Sequence, residues 1–152
     1  MLGRALKTGN RRSHRWPWVW VLLLLCWLGL GGPAWPISLG DPLPEWAKSM
    51  QVGRQRLRGV EQYQGQEQIR AYGNAAGRVF WIQINSSADL PPDYRAYLGE
   101  YRQFPVEVVE VVPLRARRLR FQQGNRSAEW QVVGMSGHFA AEAFSHDLAP
   151  QP

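Results

Sequence analysis

The 152-residue chain contains one cysteine, Cys26, and it stands inside an apolar run. No thiol follows it. A structural disulfide, a thiolate nucleophile and a cysteine-built zinc site are therefore excluded from the body of the protein. Acidic side chains are missing from the first forty positions, and residues 16–40 carry no Asp, Glu, Lys or Arg at all. Residues 1–15 hold five cations, Arg4, Lys7, Arg11, Arg12 and Arg15. From Asp41 onward 13 Lys+Arg stand against 12 Asp+Glu, so the formal +6 of the chain comes almost entirely from its first fifteen residues. A near-neutral body lacks the broad basic surface that nucleic acid requires.

Several catalytic signatures are also missing. There is no glycine-rich phosphate loop, no dinucleotide fingerprint and no Gly-x-Ser-x-Gly elbow. The nearest approach to the last is Gly134, Ser136 and Gly137, with the wrong spacing after the serine. Ser136 and His138 stand two apart, yet no acid in the sequence is assignable behind the histidine. Non-catalytic classes are left in front.

What is present at the N-terminus is a membrane signal, and residues 1–40 are expected to be a signal peptide or anchor. The strongest apolar core, residues 19–30, has the length of a secretory h-region, which favours cleavage. Counting from Trp16 to Pro36 gives 21 uncharged residues, enough to cross a bilayer as an anchor. In that case Trp16, Trp18 and Trp35 fall at the two interfaces, where indoles prefer to sit. Small residues before Trp35 (Gly32, Ala34) and before Asp41 (Ser38, Gly40) supply two cleavage patterns. Either way the cations stay on the cytoplasmic side and the body is exported. It is then periplasmic or secreted after cleavage, or held by a single pass through residues 16–36.

Residues 41–137 are expected to form one small α+β domain, and 138–152 a C-terminal tail. Trp46, Met50 and Gly53 or Leu57 share one face at helical spacing and predict a short amphipathic helix over about 44–57. The β-branched and aromatic run at 79–84 predicts a strand. Tyr94, Tyr97, Leu98 and Tyr101 follow at i, i+3, i+4 and i+7, the stripe of a helix packed on a sheet. The run at 106–112 predicts a second strand, which together make a right-handed βαβ unit. Gly124 and Asn125 form the loop of a hairpin that sets Phe121 against Ala128, Arg120 against Glu129 and Leu119 against Trp130. The expected architecture is a mixed sheet of four to five strands with helices on one face.

The segments at 79–84 and 104–109, with Leu90, Pro91 and Pro92 between them and Leu114, Arg115 and Ala116 after, loosely resemble a small module that precedes trypsin-like peptidase domains in some bacterial secreted proteins. The likeness spans about forty residues. It implies an α/β module and carries no catalytic residue.

Two clusters are candidate sites. His138, Glu142 and His146 are spaced four and four, which on one helix would offer two imidazoles and a carboxylate to a divalent metal. Arg115, Arg117, Arg118 and Arg120 are the densest charge in the body and would suit an anionic ligand if they converged. The leading expectation is a non-catalytic, envelope-side module acting through protein or surface contacts. A metal-binding protein and an anion binder are the alternatives, and nucleic acid is not an expected partner.

Overall fold

The computed structural model describes residues 36–112 and 116–150. Leu39 opens the domain by burying its side chain in the core. Eight strands follow: β1 (Lys48–Val52), β2 (Gln55–Gln64), β3 (Glu67–Gly73), β4 (Val79–Ser86), β5 (Val106–Val112), β6 (Ala116–Gln123), β7 (Arg126–Met135) and β8 (His138–Ser145). They form one sheet in the order β1-β2-β3-β4-β8-β7-β6-β5, and every neighbouring pair is antiparallel.

This corrects the α+β expectation in each of its helical parts. Over 44–57, Gly53 adopts φ 59 and turns the chain between β1 and β2. Arg54, Arg56 and Arg58 alternate there with Gln55, Leu57 and Gly59, a period of two that outweighs the coincidental helical spacing. The tyrosine stripe does pack on the core, but only as two 3-10 turns, Tyr94–Ala96 and Gly99–Gln103. Gly99, at φ 55, opens the second turn in a left-handed conformation that a continuous helix does not allow. A β-carbon at Gly99 would lie 2.5 Å from the Leu39 carbonyl oxygen, so the close crossing of these two segments needs a glycine. With no helix there is no βαβ unit: β4 lies in the middle of the sheet and β5 at its edge. The α/β module implied by the peptidase-associated resemblance falls with it.

The supposed tail is the most consequential difference. Residues 138–145 are β8, a central strand paired with β4 on one side and β7 on the other. Its alanines serve packing rather than helix formation. Ala141 and Ala143 point to the core face, where they stand beside Ile84 and Val132 and beside Ile82 and Trp130. Two small side chains there leave room for the large rings around them. Tyr97 stacks on Trp130 with centroids 6.1 Å apart and planes 9° apart, and Tyr94 leans on both Phe121 and Trp130.

The sheet has two similar halves. β1–β4 and β5–β8 are each a four-stranded meander, and the last strand of each lies at the centre. The hairpins β2–β3 and β6–β7 have the same register, each position of the second standing 59 residues after its counterpart: Glu61 opposite Arg70 in one, Arg120 opposite Glu129 in the other. Both turn through a glycine with positive φ, Gly65 and Gly124. The ion pair at this position is kept with its charges exchanged.

Candidate functional site

Strand β8 decides the fate of the histidine cluster. Side chains four apart on a strand share a face, but their Cα atoms are separated by roughly 13 Å. His138 and Glu142 are therefore spread along the outer face of β8, and His146 stands in the turn just after it against Glu129, so the three do not converge. Glu142 is flanked by Gln83 and Gln131, and His146 Nε2 sits 3.4 Å from Glu129 Oε1. Among the described residues no three His, Cys, Asp or Glu side chains gather as a metal site. The helical premise of that cluster is removed by the strand.

The arginines separate by strand parity. Arg117 points to the core side of the sheet, where it borders a groove with Leu90, Tyr94 and Trp130. Arg118 and Arg120 point to the outer face and close on Glu129 from both sides. Arg118 donates to Oε2 through Nε (3.0 Å) and Nη2 (2.5 Å), while Arg120 donates to Oε1 through Nε (3.1 Å) and Nη2 (2.8 Å). Burial raises the Glu129 carboxyl pKa, but the two guanidinium contacts outweigh it and hold the group below the usual carboxylate range. Arg115 lies outside the described residues. The hairpin register expected from the sequence, with Arg120 opposite Glu129, is the one observed.

A second polar network was invisible in the sequence because its members are up to 47 positions apart. Tyr101 Oη donates to Asp147 Oδ2 at 2.8 Å and lies 2.9 Å from Ser145 Oγ. The Ser127 N–H donates to Asp147 Oδ1 at 3.0 Å, and Arg126 spans Asp147 and Glu100. Burial pushes the Asp147 carboxyl up, yet the hydrogen bonds from Tyr101, Ser127 and Ser145 together keep it below its ordinary value. The network ties the connection between β4 and β5 to the end of β8. At its centre Ser145 is fully buried, and among the described residues the partners of its hydroxyl are Tyr101, Asp147 and the Leu148 N–H. The Ser136 hydroxyl donates to Asp89 at 3.0 Å, which puts the acid on the serine instead of behind a histidine.

Two surface features remain. One is a cleft of about 720 Å³ where the β2–β3 turn, the end of β4 and the β7–β8 turn meet. Across its outer-face side runs the row Tyr63, Gln68, Asn85, Ala140, Val133, each opposite the next in the strand ladders. Ala140 is the small residue of that row, between Asn85 and Val133, and His138 also lines the cleft. The Gln68 amide donates to the Tyr63 hydroxyl at 3.0 Å, and the Tyr63 side chain is largely exposed.

The other feature is β5. Among the described residues no strand pairs with its outer side. Val106 and Val108 stand opposite Phe121 and Leu119 on the core face, yet they are 56% and 51% exposed because the covering turns do not extend over them. A register shift between Val108 and Glu110 leaves Val109 unpaired and 37% exposed. The groove bordered by Leu90 and Arg117 opens beside this strand, since Leu119 lines it and is the ladder partner of Val108. Natural sheets blunt their edges with charged side chains, proline, bulges or very short strands. Strand β5 has seven residues and neither lysine nor proline, so only Glu107, Glu110 and the irregularity at Val109 interrupt its valines. Comparison with known proteins adds nothing to this picture: no family model, no curated protein and no solved structure matches the chain.

Proposed function

We propose that this chain is a non-catalytic binding module of the exported side of a membrane, and that it engages a protein partner by adding an extended segment to the free edge of β5. The observation that carries the reading is the valine-rich edge itself, whose unpaired backbone groups and exposed Val106, Val108 and Val109 offer both a ladder and apolar contacts. The basic N-terminus followed by the charge-free stretch supports export. Anchoring through residues 16–36 is the alternative to release.

The test is site-specific photocrosslinking in intact cells, with the reactive group at Val108 and, as control, at Arg56 on the far side of the sheet. Adducts are expected at Val108, and they should be lost when Val106→Lys is added, with the circular dichroism of the protein unchanged. Equal adducts at both positions, or none at Val108, would reject the edge as the contact. A second reading, uptake of a neutral hydroxyl-rich ligand such as a saccharide, is favoured by the cleft, where an exposed tyrosine and the amides of Gln68 and Asn85 stand together without a cation cluster. Chemical-shift changes confined to Tyr63, Gln68 and Asn85 on addition of a disaccharide would support it.

A further inference from the structure

We propose that export processing breaks the Ala34–Trp35 bond and leaves the Gly40–Asp41 bond intact, because residues 38–40 belong to the folded domain. The inference rests on the export reading above. Both bonds follow the small-x-small pattern that a signal peptidase accepts, Gly32 and Ala34 before the first, Ser38 and Gly40 before the second. At either bond the chemistry is the same hydrolysis: water adds across the amide, leaving a carboxylate on the departing leader and a free amine on the mature chain. The two bonds differ in what the cut would carry away.

A cut after Gly40 would remove Leu39, which is 1% exposed and part of the core cluster. It would also remove three contacts that seat the connection between β4 and β5. The Leu39 N–H donates to the Tyr97 carbonyl at 2.8 Å, the Ser38 hydroxyl donates to the Ala96 carbonyl at 3.0 Å, and Gly99 is packed against the Leu39 carbonyl. The Gly40 N–H donates to the Val79 carbonyl at 2.8 Å, and the Arg78 guanidinium donates to the Gly40 carbonyl at 2.7 Å, so the same segment borders the start of β4. Tyr97 would lose its backbone partner directly above Trp130, on which it stacks. A cut after Ala34 spares all of this, since each of these contacts is made by residue 38 or later.

Apolar burial and close crossing thus turn an ambiguity of the leader into a choice. The experiment is N-terminal sequencing and intact mass of the full-length gene product recovered from exported and membrane fractions, together with an Ala34→Tyr variant. The expected mature chain begins at Trp35, and Ala34→Tyr, bulky at the residue before the cut, is expected to accumulate as uncut precursor. A mature chain beginning at Asp41, in either protein, would overturn the proposal, as would a whole chain held in the membrane with its body accessible to added protease. A whole chain whose body is protected from protease inside the cell would overturn the export reading itself, a result distinguishable from the other two.

Discussion

Replacing Asp147 by alanine tests whether the buried network is what holds the β4–β5 connection on the sheet. The carboxylate accepts from Tyr101 Oη at 2.8 Å, from the Ser127 N–H at 3.0 Å and from Ser145 Oγ at 3.3 Å. Hydrogen bonds to a charged group contribute about 1.5–3 kcal/mol each where the partner stays buried. Tyr101 and Ser145 keep each other as partners after the substitution, and the Asp147 side chain is 20% exposed, so the loss is well short of the full sum. A net cost of about 3 kcal/mol follows, which for a domain of this size lowers the melting temperature by roughly 10–15 °C. Thermal unfolding followed by circular dichroism measures it.

The same variant has a pH signature. The Asp147 carboxyl is depressed in the folded state below its ordinary 3.8, so its stabilisation is fully present above pH 3.8 and is lost as pH falls through the folded value. The gap between wild type and Asp147→Ala is therefore constant above pH 4 and narrows below it. A cost under about 0.5 kcal/mol, the size of an ordinary surface change, would refute the role assigned to the network. A gap that widens in acid would refute the sign.

Gly99→Ala combines a left-handed backbone with a β-carbon 2.5 Å from the Leu39 carbonyl oxygen, and should cost about 2–4 kcal/mol by urea unfolding. Gly77→Ala, at φ 72 with nothing within 4 Å, should cost only about 1 kcal/mol; equal costs would dismiss the close crossing at Gly99. Equilibrium dialysis with zinc should give the same uptake for wild type and for the double variant His138→Ala, His146→Ala, because the three side chains do not converge.

The legible parts of the fold were those whose period was unambiguous. The β6–β7 hairpin could be written pair by pair because a two-residue glycine-asparagine turn and alternating apolar positions demand one register. The strands at 79–84 and 106–112 were visible from β-branched composition. What misled was apolar spacing that fits two periods at once. Tyr94, Tyr97, Leu98 and Tyr101 do share the buried side expected of them, but the helix fails at Gly99, whose role depends on Leu39 some sixty positions earlier. Residues 138–152 read as a tail, whereas the alanines at 141 and 143 answer crowding by Trp130 and its neighbours in the middle of a sheet. The site reading depended on the same period: a helix would gather His138, Glu142 and His146, whereas the strand spreads His138 and Glu142 and leaves His146 in the turn beyond. Strand parity predicts that Arg118 and Arg120 share a face and Arg117 does not, so the dispersal of that cluster was already implied. Asp147 lay in what read as a solvated tail, and nothing local announces a partner as distant as Tyr101.

The two-meander sheet has a consequence for how the chain is made. Among the described residues every ladder except one joins strands consecutive in sequence; β4 with β8 pairs residues 53 to 63 positions apart, from Ser86 with Phe139 to Trp81 with Phe144. The first meander is complete once Ser86 has emerged from the ribosome, but its innermost strand then has an open edge bearing Ile82 and Ile84. At synthesis rates of 5–20 residues per second, roughly 3–12 s pass before β8 exists to cover it. During that interval the half-made protein presents an apolar strand edge of the kind that templates aggregation, and a chaperone or a translocation channel that shields it need act only until residue 144 arrives.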